Sequence, residues 1–124
     1  MTGRQFEDHV VKKMHEAGYW VHRIHPDESG QQPFDVIAVK GNKMCAYDAK
    51  VLTEGKRFPL NRIEDNQLNA FRLFEKKTNG ADIGLVILCE DGKIRFMDIG
   101  QINTALWLGK KSIELAILPE WRLI

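Results

Sequence analysis

Asp35, Asp48 and Lys50 are the residues of this chain whose types and spacing could do chemistry. Apolar runs flank a Gly41-Asn42 turn, a pattern that reads as a β-hairpin with strands over 34–40 and 43–51. A turn centred there sets Lys40 opposite Lys43 and Asp35 opposite Asp48, with Cβ atoms about 4.5–5.5 Å apart on one face. Lys50, two residues beyond Asp48, shares that face. Like charges opposed among Ile37, Val39 and Ala46 destabilise a sheet. A shared proton, a bound cation or a hairpin end open to solvent would relieve the repulsion. Hard oxygens so placed suit Mg²⁺ or Mn²⁺, with waters and phosphate oxygens as the remaining ligands. A lysine beside them can stabilise developing negative charge or help deprotonate a bound water. That is the chemistry of a hydrolytic phosphodiester site; the plainer alternative is a salt-bridge cluster at a sheet end.

The elements that must position these groups follow from periodicity. A first helix is expected from about 3 to 17, capped by Thr2 with Gln5 returning the bond, and stopped at Gly18. Phe6, Val10, Met14 and Ala17 form its buried stripe. Glu7 borders that stripe, although an acid in a first turn also simply complements the helix dipole. A strand over 19–25 and a loop over 26–33 lead into the hairpin. After a mixed loop over 52–60, a second helix is expected from Asn61, with Glu64 at the capping-box position, to a stop at Gly80. Gln67 falls on its apolar stripe with Ile63, Ala70 and Phe74, and a core-facing amide needs polar partners. A second hairpin (83–90 and 93–99 about Asp91-Gly92), a short helix over 103–108 and an extended tail from 112 complete the chain. This order gives an α/β fold, a mixed central sheet flanked by helices.

The run Pro33-Phe34-Asp35, twelve residues, then Asp48-Ala49-Lys50 resembles the PD-(D/E)xK nuclease signature. Glu7 on a preceding helix resembles the additional acid of many members. Phe58-Pro59-Leu60 followed by Asn66-Gln67, and the passage from Tyr47-Asp48-Ala49-Lys50 into the second hairpin, resemble RecU-type Holliday junction resolvases over roughly residues 3–118. The resemblance implies a restriction-endonuclease-like core. It also implies a Mg²⁺-dependent homodimer, with Mn²⁺ able to substitute, that cuts four-way DNA junctions symmetrically. It makes Glu7, Asp35, Asp48 and the Ala49 carbonyl metal ligands, puts Lys50 on the scissile phosphate or attacking water, and has Gln67 orient them. Asp48 stands where Glu is more frequent, and the 26–33 stretch is too short for the stalk that bacterial members insert there. A nuclease of flaps, nicks or other duplex DNA would share every one of these residues. A non-cutting DNA-binding relative would have been free to lose them.

Bulk properties set the frame. A chain of 124 residues, 44% hydrophobic and 28% charged, fits one soluble nuclease domain over 1–124. No apolar run reaches the length of a membrane span and no secretory signal opens the chain. Cys45 and Cys89 sit in apolar segments and read as reduced buried thiols, which implies an intracellular protein; the resemblance implies the cytoplasm of a bacterium or a phage-infected host. The net charge of +1 excludes nothing, but residues 50–77 hold seven basic against four acidic side chains. Lys56, Arg57 and Arg62, just after Lys50, and Arg4, one helical turn from Glu7, are the expected DNA phosphate contacts. His9 and His15, like His22 and His25, are spaced to miss a common face. Leu106, Trp107, Leu108, Ile117, Leu118, Trp121, Leu123 and Ile124 supply apolar material for a two-fold interface, with packing of the tail onto its own sheet as the simpler alternative.

Overall fold

In this computed structural model residues 1–25 and 32–123 are described. The expected 26–33 loop and Ile124 fall largely or wholly outside them. A five-stranded mixed sheet carries α1 on one face and α2 and α3 on the other. The strands are β1 (Trp20–Arg23), β2 (Val36–Lys40), β3 (Lys43–Val51), β5 (Asp82–Leu88) and β6 (Ile94–Asp98), ordered β1-β2-β3-β5-β6. All neighbours are antiparallel except β3 and β5, which run parallel because α2 (Asp65–Lys77) crosses between them. A small antiparallel ribbon of β4 (Arg57–Pro59) and β7 (Ser112–Glu114) lies apart from the main sheet. No described helix is long and apolar enough to cross a membrane.

Each face has its own core. Phe6, Val10, Val11 and Met14 of α1 (Gly3–Glu16) pack on Val36, Ala38, Cys45, Tyr47 and Val86. Ala46, Leu85, Ile87 and Met97 face the other way, with Phe71 of α2 and Ile102 of α3 (Ile99–Trp107). The alternation of β3 between these cores sends Asp48 and Lys50 toward α2. Both cysteines are buried free thiols. The Thr2–Gln5 capping box forms as expected, and the register of the first hairpin is the expected one, Lys40 opposite Lys43 and Val36 opposite Tyr47.

Several boundaries differ from the sequence reading. The strand expected from 34 begins at Val36, because Phe34 leaves the alternation. Its ring stacks on Phe71 at 5.4 Å and meets Phe74 edge-on at 5.8 Å, on the side opposite Val36. The second helix begins at Asp65, not Asn61. Leu60–Arg62 forms a separate 3-10 turn, Ile63 is extended, and Glu64 becomes the N-cap. The third helix starts at Ile99, four residues before its expected start, because Asp98 and Gln101 make a capping box. β4 lies inside the expected 52–60 loop, fixed by fully buried Phe58 opposite Ile113.

The tail packs onto its own sheet: Leu118 is buried in the α2 core, Trp121 and Leu123 pack into the α1 core, and Ile117 stays exposed. Between them the chain runs along β6, with Phe96 N–H donating to the Pro119 carbonyl, Trp121 N–H to that of Ile94, and an Arg95–Glu120 bridge. Sheet edges expose unpaired backbone groups, and here the tail covers one of them.

Gly84 marks the tightest approach in the sheet. Its φ is +157°, and a Cβ there would lie 2.0 Å from the Met97 carbonyl oxygen and 2.9 Å from the Asp98 Cα. Both obstacles are backbone, so Gly84→Ala should lower the unfolding free energy by about 3 kcal/mol or more. Denaturant titration measures this; an unchanged midpoint would mean that β5 and β6 separate there without cost.

Candidate active site

The site gathers at the end of β3 where β2 has not yet begun. Asp35 lies one residue before β2, and its backbone makes a crossing rather than a ladder step. Its N–H donates to the Tyr47 carbonyl at 3.0 Å, while its carbonyl accepts from Ile24 N–H at 2.8 Å. The side chain then reaches along β3, where its Oδ2 accepts from the Ala49 N–H at 2.7 Å. The N–H and C=O of one strand residue point to the same side, so the Ala49 carbonyl is also directed to this unpaired stretch. Asp35 and Asp48 are buried, and the charge of Asp48 acts on the Asp35 carboxyl. The expected meeting of the two acids therefore occurs, by a bent approach rather than as a ladder pair.

Lys50 Nζ sits 3.0 Å from Asp48 Oδ2 and 3.4 Å from Gln67 Oε1. Gln67, 6% exposed, finds the partners that a core-facing amide needs. Its Oε1, besides meeting the Lys50 ammonium, accepts the Glu64 N–H at 3.3 Å, closing the first turn of α2. Glu7 reaches the site from α1 and its charge is felt by Asp35. Its Oε1, however, takes both Nη2 of Arg23 at 2.9 Å and Nε at 3.2 Å. Arg23 also bonds Asp8 at 2.7 Å. Among the described residues no three His, Cys, Asp or Glu side chains converge as a metal-holding group. The structure thus brings Asp35, Asp48, Ala49, Lys50 and Gln67 together and leaves Glu7 adjacent, engaged by Arg23.

Two participants escaped the sequence reading. Gln32 Nε2 donates to Asp35 Oδ1, and Asn66 Nδ2 donates to the Gln32 carbonyl at 3.0 Å. Asn66 was noticed only as part of the Asn66-Gln67 pair; nothing in the spacing of Gln32 marked it.

The expected phosphate contacts divide. Arg62 donates to the Val51 carbonyl at 2.9 Å and lies over the Phe58 ring, one residue from Lys50. Arg57 is in β4 rather than a loop and engages Ser112 through Nε at 2.8 Å. It lines a cleft of about 590 Å³ between α3 and the β4–β7 ribbon that includes none of Asp35, Asp48 and Lys50. Lys56 and Arg4 are exposed.

Burial pushes the Asp35 carboxyl up to about 7, reinforced by the charge of Asp48, opposed by the Ala49 N–H, and raised further by Glu7. Burial raises Asp48 as well, against the pull of Lys50, Asp35 and Gln67. Asp48 has the ammonium, so Asp35 is the member that keeps the shared proton. A divalent cation fits this donor set: two buried carboxylates, one of them touching no cation among the described residues, and a backbone carbonyl, all hard oxygens.

No family model matches the chain and no curated protein matches it in sequence. Among solved structures, Hjc, a Holliday junction resolvase from the hyperthermophilic archaeon Archaeoglobus fulgidus, is similar with a TM-score of 0.68 and 19% sequence identity, over 95% of each chain. The fold is thus that of an Hjc-like, restriction-endonuclease-like core.

The raised Asp35 carboxyl has a consequence for the metal-free protein. The unfolded chain releases this proton near pH 4, whereas the folded state holds it to about 7. Between those limits the unfolded state binds fewer protons, so stability falls as pH rises through the window and stays low above it. Asp35→Asn removes the titration. In EDTA it should gain about 2 to 4 kcal/mol over wild type at pH 8 relative to its difference at pH 4. Parallel pH–stability curves for the two proteins would contradict the assignment.

Proposed function

We propose that this protein is a divalent-metal-dependent endodeoxyribonuclease of branched DNA that acts as a Holliday junction resolvase, with residues 1–124 forming one nuclease domain. The observation that carries the reading is the buried Asp35–Asp48 pair with Lys50 at 3.0 Å, set at the end of a central strand that stays paired with β5 but has run beyond β2. The resolvase likeness of the whole fold supports the substrate class.

Asp35, Asp48 and the Ala49 carbonyl would hold Mg²⁺, with Mn²⁺ able to substitute, and Glu7 would contribute from α1. The ion would supply charge neutralisation at the scissile phosphate and a lowered pKa for a water. Lys50 stabilises negative charge developing on the phosphate oxygens. Gln67, buried and fixed by the α2 cap, keeps the Lys50 ammonium at Asp48 rather than free in solvent. Arg4, Lys56 and Arg62 are the phosphate contacts proposed for the flanking backbone, with Arg57 contributing once it leaves Ser112. The setting is intracellular, in a bacterium or a phage-infected cell.

Asp48→Asn should abolish cleavage of a four-way junction in Mg²⁺, by 10³-fold or more on an order-of-magnitude scale, while the metal-free protein keeps its fold. Cleavage by Asp48→Asn at the wild-type rate would overturn the reading. Preference for flaps or nicked duplex over junctions, with Asp48→Asn inactive, would retain the chemistry and reassign the substrate.

The working unit of this reading is a two-fold homodimer, since resolving a junction takes one cut in each of two equivalent strands. With the tail folded onto its own sheet, the interface candidates of the late segment that stay exposed lie at the end of α3 and just beyond. Trp107 is 85% exposed there, beside exposed Leu108, and Ile117 is exposed on the following 3-10 turn. Wild type should sediment as a dimer at micromolar concentration and convert a cruciform plasmid to linear product. Trp107→Glu should sediment as a monomer and accumulate nicked circles. A wild-type monomer that yields only nicked circles would sink the resolvase assignment.

A further inference from the structure

Of the three acids at the site, two are paired with cations: Glu7 with Arg23 and Asp48 with Lys50. Asp35 is different. Its described hydrogen-bond partners are neutral donors, the Ala49 N–H on Oδ2 and the Gln32 amide on Oδ1. One donor on each oxygen fixes the plane of the carboxylate yet leaves lone-pair capacity on both. An arginine or lysine in place of Gln32 would fix the plane equally well but would neutralise the charge that attracts a cation. The Gln32 side chain is in turn placed from behind, because Asn66, in the first turn of α2, donates to the Gln32 backbone carbonyl at 3.0 Å.

We propose that Gln32, held by Asn66, is a positioning residue that orients the Asp35 carboxylate for divalent metal. The proposal rests on the reading of Asp35 as a metal ligand. Donors behind a ligating carboxylate fix its direction, and their loss weakens metal binding by about 10- to 100-fold in comparable sites. Gln32 does this directly and Asn66 only through Gln32. Their effects therefore cannot add: once the Gln32 amide is gone, the placement of its backbone has nothing left to deliver.

The test is calorimetric titration of the metal-free protein with Mn²⁺, with thermal unfolding in EDTA run on the same samples. Gln32→Met keeps the length of the side chain and removes its donor; Asn66→Ala removes the brace; Asp35→Asn is the control for the ligand assignment. Gln32→Met should weaken Mn²⁺ binding by about ten-fold or more and Asn66→Ala by less. The double variant should bind no more weakly than Gln32→Met alone, and the melting temperatures of the Gln32 and Asn66 variants in EDTA should stay close to wild type. Wild-type affinity in Gln32→Met while Asp35→Asn has lost binding would overturn the positioning role and leave Asp35 as a ligand. Wild-type affinity in Asp35→Asn would overturn both. Losses in the two single variants that simply add in the double variant would separate Asn66 from Gln32 and overturn their linkage.

Discussion

Two carboxyl groups side by side inside an apolar layer form an arrangement that a fold must actively support. Desolvation alone disfavours charge on either, and the charge of one disfavours the charge of the other. Asp35 and Asp48 are held in that position between the sheet and α2, and the surrounding architecture can be understood as the set of groups that makes it tolerable. Lys50 comes from the same strand as Asp48, the Ala49 N–H from the unpaired stretch of backbone between them, Gln67 from α2, and Gln32 from the approach to β2. Each element must end or begin at a particular residue for its group to arrive. A β2 that started two residues sooner would pair the Ala49 amide in a ladder and remove it from Asp35.

The first turn of α2 is where these demands concentrate. Asn66 serves Asp35 through Gln32, and Gln67 serves Asp48 and Lys50. One oxygen of Gln67 closes the helix cap on Glu64 and also receives the lysine. Starting a helix and orienting an ammonium are thus done by the same atom. This explains why a polar side chain occupies a stripe otherwise reserved for Ile63 and Phe71: a hydrophobic residue there would bury more apolar area but would leave both a cap donor and a buried ion pair short of a partner.

The part of the fold legible in sequence was the part governed by local rules. The Gly41-Asn42 turn set the register of the first hairpin, which carries Asp35 to the neighbourhood of Asp48 and Lys50, but the bend that turns Asp35 onto the Ala49 N–H lies outside that register. The out-of-place polarity of Gln67 was enough to mark it. The parts that were not legible depend on tertiary packing. Phe34 abandons the β2 alternation to stack on Phe71, 37 positions later in the sequence. β4 is three residues long and exists because Phe58 is buried opposite Ile113. The start of α3 was an available signal, since Asp98 and Gln101 have capping-box spacing, but it sits where the preceding strand pattern still runs. Gln32 carried no local mark, because its role depends wholly on what the fold brings to it. The engagement of Glu7 by Arg23 joins α1 to β1 and was likewise invisible to spacing along either element.

The path of the tail around β6 has a consequence for how the protein is made. Leu118 belongs to one core and Trp121 and Leu123 to the other, so a few consecutive residues seal both layers of the molecule. A nascent chain emerging N-terminus first can form α1 and the first hairpin early. It cannot close either layer until residues 118–123 are outside the ribosome. Until then the face of Tyr47 and Phe96 that Trp121 covers, and the backbone of β6, stay uncovered. During synthesis this is the surface available to chaperones, and to neighbouring chains on the same message.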